Sequence, residues 1–135
     1  MTNAKNTSQS GQSLVEFALV IPIFLLFIMG IVDLGRLIYS YSALHNAVRE
    51  GARYGVIDST ITSTAIQGVV EDTAVGLDKS KLAITSSQVA TSSAHSKVEV
   101  NAKYTFSAAT PMVKAMAGGS GIVLSSRVTM NAEGW

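Results

Sequence analysis

From Leu14 to Leu34 the chain is apolar apart from Glu16 near the beginning of the run and Asp33 near its end. Coiled as a helix at 1.5 Å per residue, the run measures roughly 31 Å, which matches the ~30 Å hydrocarbon core of a bilayer. The segment is long enough to span. A cleavable secretory signal has a shorter apolar core followed by small residues, whereas Gly30 to Arg36 reads GIVDLGR, so the helix is expected to stay attached. Charge gives little orientation: Lys5 and the amino terminus lie on the short side, and Arg36, Arg49 and Arg53 lie on the long side. The positive-inside rule alone does not place the long side outside the cell.

The remainder of the chain suffices for one small head. The chain has 135 residues, 47% apolar and 14% charged, too oily for a disordered tail. Its net charge of +1 comes from ten basic and nine acidic side chains scattered along the sequence. That pattern leaves no electrostatic footprint for nucleic acid. With no cysteine, disulfide scaffolds, thiolate metal sites and cysteine nucleophiles drop out.

The helical period continues beyond the membrane run, with Leu37, Tyr41, Leu44, Val48, Ala52 and Gly55 recurring at three- and four-residue steps to about Val56. Alongside, Ala43, Ala47, Gly51 and Gly55 form a ladder of small residues at four-residue spacing, which lets another element approach the backbone. Glu50 and Arg53 are spaced for a weak surface pair. Asp58, Ser59 and Thr60 break the pattern, and Thr62 to Val75 reads as a second helix with Ile66, Val69, Val70 and Thr73 on one side.

Residues 82–85, LAIT, read as a short strand, and SSQVATSSAHS as a hairpin or loop. In KVEVNAKYTF, Val98, Val100, Ala102, Tyr104 and Phe106 alternate with polar residues, as a half-buried strand requires. Ile122 to Ala132 alternates similarly, with Thr110-Pro111 and GGSG punctuating the connection. A sheet with one oily face needs a cover, and the small-residue stripe with the second helix supplies it. The expected fold class is α+β: a long transmembrane helix continuing into a head with a short helix and an antiparallel sheet of about three to four strands packed on the long helix.

No constellation for catalysis emerges. His45 and His95 lack the spacing of paired metal ligands, the serines lack a nucleophile elbow, and GGSG at 118–121 has neither the spacing nor the lysine of a phosphate loop. No enzyme activity, metal or cofactor is expected. Asp33 and Arg36 bracket the outer end of the apolar run at a spacing that permits pairing, and read as membrane-edge anchors. Pro22 removes one hydrogen bond inside the run and predicts a kink or locally loosened helix.

Glu16 admits two readings. A carboxylate at the bilayer centre costs about 3 kcal/mol; near the edge it can reach headgroups or water and cap a first turn begun by Ser13. The other reading starts from its neighbours. Gly11, then Gln12-Ser13-Leu14-Val15-Glu16-Phe17 and the apolar run, resembles the processing site of type IV prepilins. The stretches GQSLVEFALVIPIFLLFIMGIVDLGR and SALHNAVREGARYGV, and later KVEVNAKYTF, ATPMVKAM and GIVLSSRVTMNAE, resemble the TadE-like pseudopilins of tight-adherence (Tad/Flp) pilus systems.

That resemblance implies a minor pilin: a leader over residues 1–11, cut between Gly11 and Gln12 by a prepilin peptidase, an anchor helix over 12–57, and an extracytoplasmic head over 58–135. It implies a single pass through the cytoplasmic membrane with the amino terminus inside. Glu16 and Phe17 become assembly residues, with other pilins or pseudopilins and the assembly platform as partners, in a pilus serving adhesion. Ser10 and the single basic residue, Lys5, depart from the usual basic leader. The rival reading is an uncleaved, membrane-tethered adhesion or ligand-binding protein that enters no filament.

Overall fold

The computed structural model describes residues 7–58, 60–91 and 95–132; the first six residues of the expected leader lie outside them, as do Ser59 and the His95 side chain. In chain order it contains α1 (Thr7–Ile57), α2 (Ser63–Thr73), a single 3-10 turn (Lys79–Lys81), β1 (Leu82–Thr91), β2 (His95–Phe106), α3 (Pro111–Met116) and β3 (Ile122–Ala132). The three strands form one antiparallel sheet in the order β1-β2-β3. This is the expected α+β arrangement.

α1 is a single helix of 51 residues, roughly 75 Å long, and changes partner along its length. Pro22 lies inside it without ending it. Every large apolar side chain from Leu14 to Leu34 is at least 38% exposed, so no described part of the head covers this belt. Such a continuous apolar surface requires lipid or another helix. Farther along, Leu44, Ala47, Val48 and Ala52 are fully buried. Tyr41, expected on the same stripe, is half exposed and instead stacks on His45 with ring centroids 6.4 Å apart.

α2 starts where Thr62 Oγ1 accepts from the amide of Ala65 at 3.3 Å, the usual use of threonine at a helix start. It buries Ile66 and Val70 against α1. The helix stops at Thr73, short of the expected Val75: Ala74 leaves helical geometry and Val75 is exposed. Strand β1 is longer than the expected LAIT, because most of the Ser/Thr-rich stretch pairs with β2, from Leu82 opposite Tyr104 to Thr91 opposite His95. The alternation in β2 holds as expected, with Val98, Val100, Ala102, Tyr104 and Phe106 buried on the side facing α1 and α2. The connection between β2 and β3 contains a helix, α3, that its punctuation alone does not predict. Thr110 precedes it, Pro111 is its first residue, a position where the missing N–H costs nothing, and glycines come after it. Gly121, with φ +85 and the Phe106 carbonyl oxygen 2.7 Å from where a Cβ would sit, turns the chain into β3 as other residues do not.

Two turns are tied by carboxylates. Asp58 accepts from the amide of Thr60 at 2.8 Å at the end of α1. Asp78 accepts from the hydroxyl of Ser80 at 2.7 Å and from its amide at 3.1 Å. These bonds hold both carboxyls below their ordinary value of 3.8: for Asp58 the Thr60 amide is the main cause, for Asp78 the Ser80 hydroxyl. A lowered folded value means that the carboxylate's contribution is complete above 3.8 and fades as pH falls through the folded values. Carboxyl-carbon NMR titration should give both midpoints below 3.8; a midpoint at or above it contradicts these turns.

Candidate assembly site and the joint between head and anchor

The residues singled out at the start of α1 share one exposed helical segment. Gly11, Gln12, Glu16 and Phe17 are all exposed, and no head residue approaches Gly11 within 4 Å of its Cβ position. Gln12 Nε2 donates to Glu16 Oε1 at 3.5 Å, so residues 12 and 16 lie one turn apart on the same face. Because α1 begins at Thr7, Ser13 does not begin the helix and Glu16 is not in its first turn. A first-turn role for Glu16 therefore requires an end at Gln12.

The small-residue ladder lies at the contact of α1 with α2 and the sheet. Ala43 is half-buried and Ala47, Gly51 and Gly55 are buried. A Cβ on Gly51 would collide with Cγ2 of Val70 in α2, and one on Gly55 would lie 2.7 Å from Ile66 Cδ1 and 2.9 Å from Val98 Cγ1. Gly51 thus sets the approach of α2, and Gly55 that of both α2 and the sheet. Around this contact, polar groups on the inner face of the sheet find partners: Ser126 Oγ lies 3.0 Å from His45 Nδ1, and Gln88 Nε2 donates to the Gly55 carbonyl at 3.4 Å. Ser63 and Ser86 exchange hydroxyl-to-carbonyl bonds between α2 and β1. The period-two alternation predicts that these positions face inward; their polarity conceals it.

Asp33 is the residue whose position the sequence least foreshadows. It pairs with Arg36 at 3.2 Å, as the spacing allowed, but it is only 3% exposed. Its Oδ1 accepts from the amide of Ala109 at 3.0 Å and its Oδ2 from the amide of Thr110 at 2.7 Å. The carboxylate therefore fastens the residues just before α3 to the end of the apolar belt. Arg36 reinforces the same joint, its guanidinium carbon 5.5 Å from the Phe106 ring centroid. An anchor at the membrane edge is here an attachment point for the head.

A surface groove lined by Asn46, Arg49, Glu50, Arg53, Thr73 and Met130 is open to solvent. Arg53 and Glu50 pair across one turn there at 3.8 Å, an exposed ion pair of the weak kind.

No curated protein matches the chain, and no solved structure does. The family model described as TadE-like protein matches residues 11–53. That interval covers the exposed Gly11–Phe17 segment, the apolar belt, Asp33 and the packing ladder as far as Gly51. The similarity to TadE-like proteins thus lies over this helix, from the glycine at its exposed start to the close contact with α2.

Proposed function

We propose that the protein is a minor pilin or pseudopilin of a Tad/Flp-type pilus, cut between Gly11 and Gln12 and acting by assembly with other pilin-like subunits, without catalysis of its own. The observation that carries this reading is the family match over residues 11–53 on a helix whose apolar half stays exposed among the described residues. The helix is long and apolar enough to cross a membrane once, consistent with a single-pass anchor. In this reading the amino terminus lies in the cytoplasm and the head outside, and the filament serves attachment.

Glu16 supplies a means of assembly. Cleavage at Gly11, a residue that weakens a helix by about 1 kcal/mol relative to alanine, leaves a new ammonium on Gln12. In a bundle of such helices that ammonium pairs with the Glu16 carboxylate of a neighbour; unit charges 4 Å apart attract by about 4 kcal/mol at an effective dielectric of 20, less their desolvation. The gain is chiefly one of register, because a group costly in lipid and satisfied only by a neighbour selects one axial stagger. Phe17, exposed beside it, packs in the same helix-to-helix contact.

The test is made in the native host. Surface fibres are purified and analysed by mass spectrometry for peptides of residues 82–130 and for an amino-terminal Gln12. Glu16→Ala is expected to insert in the membrane normally and to be depleted from fibres about tenfold or more, the scale of one lost charge pairing. A protein that retains Met1 or Thr2 and is absent from fibres overturns the reading in favour of a tethered adhesin. Undiminished incorporation of Glu16→Ala overturns the assigned role of Glu16.

A further inference from the structure

The geometry points to a membrane-surface foot: α3 lies at the lipid-facing end of the head and rests Met112 and Met116 in the headgroup region beside the point where α1 leaves the bilayer. The inference rests on the reading of α1 as a membrane anchor and goes beyond it in assigning a lipid contact to the head itself.

Three observations place α3 there. First, the sheet has a near end and a far end along α1. At the far end Val98 of β2 approaches Gly55; at the near end Phe106 of the same strand lies against Arg36. β2 therefore runs back toward the membrane as α1 runs away from it, and the connection after Phe106 emerges at the near pole. Second, Asp33 holds the amides of Ala109 and Thr110, so α3 begins at the level of the last residues of the apolar belt. Ile31, Val32 and Leu34, next to Asp33, are all more than half exposed.

Third, α3 divides its faces as an interfacial helix does. Val113 packs against the core. Met112 and Met116, four residues apart and hence on one side of the helix, are 60% and 80% exposed. Lys114, two residues from each, projects from the opposite side and is exposed. Large apolar side chains at the foot of the head, level with an apolar belt that in the anchor reading lies in lipid, extend one surface. The occupant that covers the belt is also within reach of the two methionines. Unbranched thioether side chains suit the disordered headgroup boundary, where interfacial helices bury their apolar face about 5–10 Å deep.

The methionines themselves report on this. The chain has five, and four of them sample the molecule at known heights: Met29 in the apolar belt, Met112 and Met116 on the foot, and Met130 opposite Val98 at the far end of the sheet. The full chain, labelled with 13C at the methionine methyls, is placed in bicelles of phosphatidylcholine and phosphatidylglycerol doped with lipid carrying a headgroup-level or an acyl-chain nitroxide. Single Met→Leu variants assign the signals. Met112 and Met116 should broaden several-fold with the headgroup-level nitroxide, Met29 should broaden with the acyl-chain nitroxide, and Met130 should stay sharp with both. If Met29 broadens while Met112 and Met116 stay as sharp as Met130, the foot is overturned and the anchor stands. If Met29 stays sharp, the anchor reading falls and the foot with it.

Discussion

Gly51→Ala should destabilise the head by about 1–2 kcal/mol, whereas the same substitution at Gly68 should stabilise it by about 0.5–1 kcal/mol. Both glycines lie in helices with ordinary helical φ, so both substitutions gain the helix preference of alanine. They differ in what the new methyl meets. At Gly68 nothing lies within 4 Å, whereas at Gly51 the methyl collides with Val70 Cγ2. Val70 is fully buried, and a valine in a helix holds one side-chain rotamer about nine times in ten, so it does not swing aside. Relief requires α2 to move off α1, which opens the core at Ile66 and Leu44. Gly51→Leu extends the clash and should cost about 3 kcal/mol or more.

Denaturant titration of the full chain in micelles, followed by a signal from the head, measures these differences. Combining Gly51→Ala with Val70→Ala separates the clash from other effects, since removal of Cγ2 should recover part of the loss and give a coupling of about 1 kcal/mol or more. A Gly51→Ala protein as stable as the parent would show that α2 is free to shift and that the small-residue ladder does not set the approach.

The contrast between these two glycines also marks how far the sequence can be read. Spacing places Gly51 on a face with Ala43, Ala47 and Gly55, and that face is where α2 and the sheet pack, because four-residue recurrence is a property of the helix itself. The alternation in β2 is equally legible, since one face of that strand is apolar at every position from Val98 to Phe106. β1 is not, because its inward Ser86 and Gln88 donate to the main-chain carbonyls of Ser63 in α2 and Gly55 in α1, and a polar residue facing a polar partner leaves no hydrophobic alternation. Ser126 interrupts β3 for the same reason, being matched to His45.

At the candidate site, Gly11, Gln12, Glu16 and Phe17 can be located because their order before an apolar run is local. Asp33 cannot be understood that way. Its partners are main-chain amides 76 and 77 residues away, and amides carry no sequence signal. Arg36, three residues on, offers a sufficient local explanation for the carboxylate, and the Thr110-Pro111 pair that marks the start of α3 is too short a signal to reveal what caps it. The joint between head and anchor is thus a property of the fold, formed by one side chain whose local context suggests only a surface ion pair.

Asp33→Ala should release this joint and leave the rest of the head folded. The substitution deprives the amides of Ala109 and Thr110 of their acceptor, and Thr110 is almost fully buried, so water does not replace the lost bond in place. The least costly response is for the segment leading into α3 to detach and hydrate. Hydrogen exchange should accelerate about tenfold to a hundredfold over residues 109–116, with the amides of Val98 to Ala102 in β2 unchanged. Asp33→Asn should fall between, since its single amide oxygen can accept from one N–H while its NH2 confronts the other. Arg36→Gln provides the discriminating comparison. It removes the 3.2 Å ion pair but neither amide bond, and the Arg36 side chain is 54% exposed, where such pairs contribute about 0–1 kcal/mol. Its exchange profile should stay close to that of the parent. An Arg36→Gln effect equal to that of Asp33→Ala would mean that the ion pair, and not the carboxylate's hold on the two amides, fastens the head, through an exposed contact that salt can weaken.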